Sequence, residues 1–429
     1  MSSRRTLLTT GAGLVFSTAI GAGTPGTAAA SPGTADARRK PGRPKPRRRR
    51  RVVVLVIDGC RPDELATDLT PNLTGLRNRG LWFPQARSLP VMETIPNHVM
   101  MMTGVRPDRS GVPANSILDR ELGEIRDMDR ASDIKVGTVI ERANRAGLRT
   151  GTVLSKTYLY GVFGERATHR WEPSPTLPIT DHAPDRFTMD ATRAMIEEFD
   201  PHLTFVNLGD IDRFGHADFT GETVQLSRRL ALASTDRLIG DFVEFLKERG
   251  TWDQTMLVVL ADHSMDWSGL GDVISLQGVI DADEKLAGKV TIAQNGGADL
   301  LYWTGPERGR ARGIERIIDV VSAVEGVLVA HPRTKRSLRL GPEAGDVVAY
   351  AKAGWRFSDP TPVSNPIPGN HGHPATRSIP FFLSGGHPAV PHRKASPRRA
   401  RTIDVAPTVA SFLGLAGAPK GGYDGRVLL

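Results

Sequence analysis

The stretch METIPNHVM, residues 92–100, carries one hydroxyl, Thr94, two residues ahead of Pro96 and just before an apolar run. A threonine at such a place is ordinarily an N-cap, because its oxygen accepts from the free N–H groups of a first helical turn. The other reading is a nucleophile. A threonine hydroxyl attacks poorly near neutral pH unless its proton is removed, and metal coordination does that. Candidate metal ligands recur along the chain. Three apolar runs end in acids: VVVLVID in Asp58, LTFVNLGDID in Asp210 and Asp212, and MLVVLAD in Asp262. One such aspartate is an ordinary turn or capping residue. Three of them, two with histidines close by, form a pattern. DRFGH spaces Asp212 and His216 four residues apart, ADHSM joins Asp262 to His263, and GNHGHP sets His371 and His373 in a glycine-rich loop. Mixed Asp and His ligands suit a borderline cation such as zinc, whereas calcium or magnesium prefers oxygen alone. Two clusters imply two metals about 4 Å apart, an arrangement that stabilises both the attacking and the leaving oxygen of an in-line displacement.

Such ligands need a scaffold that brings them to one edge. VVVLVID (52–58) is a continuous β-branched run, the pattern of a strand buried on both faces of a parallel sheet. Similar runs lie at 148–155, 203–210, 256–262 and 379–385, with helical patterns between them at 136–147, 190–199 and 228–250. Alternating strands and helices predict an α/β, doubly wound, mostly parallel sheet with helices on both faces. In such sheets ligands bind beyond the carboxyl ends of the strands, where the acids sit. The rhythm breaks over about 267–365, read as an inserted α+β subdomain within one catalytic domain spanning 52–429. The last helix (402–415) is expected to pack back on the core. No internal repeat is visible.

The chain has 429 residues and a formal net charge of +9, but the charge is local. Residues 1–30 hold two arginines and no acid, and residues 31–51 hold ten basic residues and one acid, which leaves the body slightly negative. A basic surface for sequence-specific nucleic acid binding is therefore not expected. Arg4-Arg5, a modest apolar stretch and a run of small residues ending near Ala30 read as a twin-arginine-type export signal, too short and too rich in Gly and Thr for a membrane span. Export makes the protein secreted or extracytoplasmic, with no transmembrane segment once the signal is removed. Residues 31–51 read as a disordered Pro/Arg-rich linker, a solvated leash whose basic part (38–51) suits weak contact with anionic wall polymers or lipid. With Cys60 as the single cysteine, no intrachain disulfide can form.

The ordered set DG (58–59), TIPNH (94–98), SGVPAN (110–115), DRFGH (212–216), ADHSM (261–265) and HGH (371–373) resembles the alkaline phosphatase superfamily, and within it the type I phosphodiesterase/nucleotide pyrophosphatase branch. The resemblance runs from about Val52 to Leu429. It implies one zinc on Asp212, His216 and His371, and a second on Asp58, Asp262, His263 and the Thr94 oxygen. It also implies attack of Thr94 on phosphorus, a phosphothreonine intermediate, and a hydrogen bond from Asn115 to a non-bridging oxygen of a small phosphate ester. The implied activity is cleavage of phosphodiesters or pyrophosphates. Asp210 competes with Asp212, but only Asp212 has the D-x-x-G-H spacing.

Two positions depart from the family pattern: Ser264 stands where a glycine is usual, and Ser110 where a histidine is usual. Sulfatase chemistry is not expected, because Thr94 cannot become the required aldehyde. Lys156, just past a strand end in VLSKTYLYG, opens an alternative, since a cation there would favour the extra charge of a monoester or phosphonate. The plainer reading makes it a solvated loop lysine. An alternative of another class is a non-catalytic exported binding protein, against which the complete ligand set argues. His98 reads as a packing or capping residue, His373 as a neighbour of the ligands or a substrate contact, Cys60 as a small buried residue, and Met100–Met102 as core. His169, His182, His202, His331, His387 and His392 have no partner pattern and read as surface.

Overall fold

The computed structural model describes residues 49–429 except 67, 178–179 and 220–224. The export-signal reading and most of the linker reading fall outside the described residues. The body begins slightly ahead of the expected Val52. Arg49 and Arg51 pair with Asp200, Arg50 donates to the Phe412 carbonyl, and Arg51 is the first residue of a strand.

That strand, β1 (Arg51–Ile57), is buried at all seven positions, as its β-branched sequence requires. It lies centrally in an eight-stranded sheet. The other strands are β2 (Leu81–Trp82), β3 (Thr150–Leu154), β4 (His169–Trp171), β5 (Leu203–Leu208), β6 (Thr255–Leu260), β7 (Phe381–Ser384) and β8 (Lys394–Ala395), in the order β8-β2-β7-β6-β1-β5-β3-β4. The block β6-β1-β5-β3-β4 is parallel. The run 379–385, read as one more parallel strand, instead pairs antiparallel with β6 and β2. A continuous apolar run reports burial on both faces and carries no signal of direction.

Parallel strands share one carboxyl edge. Neighbours in a sheet lie roughly 4.8 Å apart, so residues just beyond β6, β1, β5 and β3 must cluster. Those residues are Asp262, Asp58, Asp210 to Asp212, and Lys156. Helices α1 (Thr94–Thr103), α2 (Asp185–Phe199), α3 (Asp210–His216), α4 (Leu226–Glu248) and α5 (Val405–Leu413) surround the sheet. No helix among the described residues is long and apolar enough to cross a membrane.

Between β6 and β7 the chain builds a second sheet of four antiparallel strands, Val290–Asn295, Ala298–Trp303, Val347–Ala351 and Val327–Pro332 in spatial order. It carries its own apolar cluster with the helix Arg310–Ser322. Asn295, at the end of its first strand, docks it to the main body: its amide accepts from the Ser116 N–H at 2.8 Å and donates to the Ser116 carbonyl at 3.0 Å.

One buried guanidinium ties the ligand-bearing loops together. Arg228, on α4, pairs with Glu64 at 2.7 Å and donates to the carbonyls of Gly59 (2.9 Å) and Ile211 (2.8 Å), next to Asp58 and Asp212. Arg228→Met should cost about 3–5 kcal/mol, because it removes the charged partner of a largely buried carboxylate and a donor to two carbonyls. Urea denaturation measures this, and a loss below about 1 kcal/mol would show that the clamp is dispensable.

Candidate active site

Thr94 opens α1, whose ten residues are all buried, and Met100–Met102 lie in the core as expected. The hydroxyl does not cap the helix; it faces the carboxyl edge of the sheet, 3.1 Å from His263 Nε2 and 3.4 Å from Lys156 Nζ. Asn115 is held beside it by two bonds. Its Oδ1 accepts from the Ile95 N–H at 2.9 Å, and its own N–H donates to Glu93 at 2.8 Å. The side-chain N–H2 of Asn115 is thereby left to point elsewhere.

Lys156 overturns the loop-lysine reading. It is fully buried, with its ammonium 2.8 Å from Asp58 Oδ2 and 2.7 Å from Asp212 Oδ2. The lysine follows β3 and the two acids follow β1 and β5, so sheet order, invisible in sequence, creates the triad. Each acid is left with a free oxygen. Asp58 Oδ1, Asp212 Oδ1 and Asp262 Oδ2 are buried without a hydrogen-bond partner among the described residues. Imidazole nitrogens converge on them: His263 Nε2 lies 3.6 Å from Asp58 Oδ1 and 3.5 Å from Asp262 Oδ2, and His216 Nε2 lies 3.4 Å from Asp212 Oδ1. His371 Nε2 stands 3.9 Å from the same Asp212 oxygen.

Second bonds fix how the rings face. His216 Nδ1 is 2.7 Å from the Gly369 carbonyl, and His263 Nδ1 is 3.0 Å from that of Ser264. A carbonyl can only accept, so Nδ1 carries the proton and Nε2 turns its lone pair inward. Lone pairs and orphaned carboxylate oxygens gathered within 4.8 Å form two metal-capable groups, Asp212-His216-His371 and Asp58-Asp212-His263. The donor set fits divalent cations, since an unpaired buried charge is otherwise costly.

Other sequence readings fall into place around this centre. Asp210 turns away, accepting from His182 Nε2 at 2.9 Å, which leaves Asp212 as the acid of the cluster. A third group, Asp58-His98-Asp262, is also metal-capable by distance. His98, however, has both nitrogens engaged, with the Thr94 carbonyl at 2.8 Å and with Asn207 at 3.2 Å. His373 is buried and paired with Asp266 at 2.8 Å. Cys60 is buried, and burial first, then Glu64, pushes its thiol well up, the state of an inert residue. Ser264 and Ser110 are both buried. Two histidines read as surface are not: His182 is fully buried against Asp210 and Thr180, and His387 is 5% exposed. Asp210 against His182 and Phe412 against His387 come from remote segments, so no local spacing betrayed the burial.

Sequence reasoning missed several residues. Asn207, on β5, donates to Asp58 Oδ2 at 2.9 Å and takes the last-but-one place of an apolar strand, the one available hint. Gly59 has φ +70°, and a Cβ there would lie 3.0 Å from Asp212, so this turn admits glycine alone. The cavity above Thr94, about 260 Å³, is also walled by Glu93, Tyr158, Arg213 and, from beyond β6, Asn295 and Asn365.

This chain belongs to the type I phosphodiesterase/nucleotide pyrophosphatase family. The family's model matches residues 52–373, which include Asp58, Thr94, Asn115, Lys156, Asp212, His216, Asp262, His263 and His371. The protein is thus a phosphoric ester hydrolase with an alkaline-phosphatase-like fold, not a member of the non-catalytic binding class. Similar to it is bis(5'-adenosyl)-triphosphatase ENPP4 of Bos taurus, 23% identical over 409 residues, covering 88% of this chain and 81% of the relative. Among solved structures, murine ectonucleotide pyrophosphatase/phosphodiesterase 5, inactive variant in complex with AMP, superposes with TM-score 0.70 at 18% identity, covering 86% of this chain and 96% of that one. Phosphonoacetate hydrolase from Sinorhizobium meliloti with phosphonoformate superposes with TM-score 0.66 at 18% identity over the same shares.

Burial pushes the imidazoles of His216, His263 and His371 below their ordinary range, His371 furthest because His263 stacks on it at 3.6 Å. Below the unfolded value of about 6.5 the unfolded chain then binds more protons than the folded one, so falling pH costs stability. The carboxyls of Asp58, Glu93, Asp185 and Asp299, all raised by burial first, act in the opposite sense, so the slope of the whole protein is a balance of the two sets. In metal-stripped protein His371→Asn should therefore make the change in thermal midpoint between about pH 7 and about pH 5 less unfavourable than in the unsubstituted protein, because the variant lacks one of the groups whose protonation favours unfolding. An unchanged slope in the variant would place the effect elsewhere.

Proposed function

We propose that the protein cleaves phosphodiester or pyrophosphate bonds of small substrates through a phosphothreonine intermediate at a two-zinc site. The observation that carries this reading is Thr94 Oγ1 at the cavity, within 3.4 Å of Lys156 and 3.1 Å of His263, beside three buried carboxylate oxygens without hydrogen-bond partners among the described residues. Asp212, His216 and His371 would hold one zinc, and Asp58, Asp262, His263 and the Thr94 oxygen the other. When bound, the ions would lower the pKa of the hydroxyl and of water and offset charge on the phosphoryl group.

The chain's own residues supply the rest. Thr94 Oγ forms a bond to phosphorus as the bond to the leaving oxygen breaks; water then attacks the same phosphorus and restores the hydroxyl. Thr94 sits at the start of α1, where the helix dipole favours a phosphoryl group. Asn115, held by Ile95 and Glu93, presents its side-chain N–H2 to a non-bridging oxygen. The murine relative solved with AMP is described as an inactive threonine-to-alanine variant, which accords with a threonine nucleophile.

Lys156 separates this reading from a monoesterase or phosphonate hydrolase, for which the solved phosphonoacetate hydrolase is a precedent. Its ammonium already donates to Asp58 and Asp212, so little of its hydrogen-bonding capacity remains for an extra substrate charge. We also infer export by the twin-arginine-type segment 1–30. Residues 267–365 act in this reading as an inserted subdomain that shapes the leaving-group side, since Asn295 and Asn365 line the cavity.

Thr94→Ala should lower turnover of bis-p-nitrophenyl phosphate by at least about 1,000-fold while keeping metal and fold. Metal analysis of the wild type should find about two equivalents of zinc. Full activity in the variant removes Thr94 as nucleophile, and a stable metal-free active enzyme removes the metal assignment. Rates on a monoester and a phosphonate in the wild type and Lys156→Ala decide the substrate class: a loss confined to those two would favour the second reading.

A further inference from the structure

Arg213 follows Asp212 directly in DRFGH, and nothing in the chemistry above uses it. It lies on α3 and lines the same cavity as Thr94. Its guanidinium is half-buried over the ring of Tyr158, 5.7 Å from the centroid, on a side chain that also stands 6.0 Å from the Lys156 ammonium. The Arg213 Nε is buried without a hydrogen-bond partner among the described residues.

Among the described residues that line this cavity Arg213 is the one arginine or lysine; Lys156 is not on the wall and is held by Asp58 and Asp212, while Glu93 accepts from the Asn115 N–H and Asp127 from the Ser116 hydroxyl. A guanidinium fixed on an aromatic face presents a planar fork of donors that matches a phosphate in a way an ammonium does not. Its distance from the nucleophile is bounded, because both line one cavity of about 260 Å³. An anion on Arg213 therefore belongs to the same substrate molecule whose phosphorus meets Thr94.

We propose that Arg213 is a specificity residue that binds the second phosphate of a phosphoanhydride, so that the preferred leaving group itself carries negative charge next to the scissile bond. This rests on the phosphohydrolase reading and narrows it, from phosphodiesters and pyrophosphates together to pyrophosphate-linked substrates. No new bond is required: Thr94 displaces a phosphate or pyrophosphate in place of an uncharged alcohol or phenol, and the leaving oxygen carries the charge that Arg213 holds.

The test compares two thymidylyl donors, thymidine 5'-triphosphate and the p-nitrophenyl ester of thymidine 5'-monophosphate, on the metal-loaded full chain. Nucleoside and attacked phosphorus are the same in both, and only the leaving group differs in charge. In Arg213→Ala the ratio of kcat/KM for the triphosphate over the nitrophenyl ester should fall roughly 10–100-fold, the value of a charge-assisted bidentate contact. Arg213→Lys should recover part of the ratio, since it keeps charge without the fork. A ratio within about threefold of wild type in Arg213→Ala, with both rates falling together or neither falling, overturns the proposal and makes Arg213 a structural neighbour of Asp212. Metal content and thermal midpoint of each variant are measured alongside; if Arg213→Ala loses metal, the ratio in Arg213→Lys decides alone, an unchanged ratio again overturning the proposal. A wild type that cleaves the nitrophenyl ester but not the triphosphate also refutes it while leaving the phosphodiesterase reading intact. A wild type that cleaves neither refutes the phosphohydrolase reading itself, and this proposal with it.

Discussion

Three carboxylates brought out of water to one sheet edge are the constraint on which the site depends. Asp58, Asp212 and Asp262 are essentially unexposed, and the free energy of burying such charges is prohibitive unless cations accompany them. Lys156 supplies one positive charge and takes the Oδ2 atoms of two of them. Burial works against ionisation of Asp212, yet the Lys156 ammonium together with the imidazoles of His216, His371 and His263 outweighs it, and the carboxylate is held well below its ordinary range. The residual negative charge sits on the oxygens that face the histidines. The protein therefore folds with part of the electrostatic problem solved internally and part left for a ligand.

Around that centre the polar groups are arranged so that few are spent twice. Asn207 secures Asp58, the Gly369 and Ser264 carbonyls set the rings of His216 and His263, and Arg228 ties the backbone beside Asp58 to that beside Asp212. These contacts hold the candidate ligands around Thr94 in one geometry that folding alone sets. Glu93 shows the same economy. Burial raises its carboxyl well above the ordinary range, against the pull of the Asn115 N–H it accepts, and it fixes the backbone of Asn115 at the cavity wall.

Much of this was legible in the chain because strand-forming runs and their terminal acids are local features. VVVLVID, LTFVNLGDID and MLVVLAD each declare a buried strand and its functional end within a dozen residues, and DRFGH declares a ligand pair by helical spacing. The antiparallel turn of Phe381–Ser384 was hidden, because apolar continuity is the same in either direction. Lys156, His182 and Arg213 were misjudged or passed over for a related reason: each depends on a partner more than twenty-five residues away.

By itself, then, the sequence determined the family, the layered α/β plan, the nucleophile candidate and the ligand types, since these rest on residue identity and short spacing. Only the tertiary structure decided that Lys156 is buried between two acids and that Arg213 lies on the cavity wall. Those outcomes follow from the order β6-β1-β5-β3, which sets remote strand ends side by side, and no one-dimensional pattern encodes which strand becomes whose neighbour.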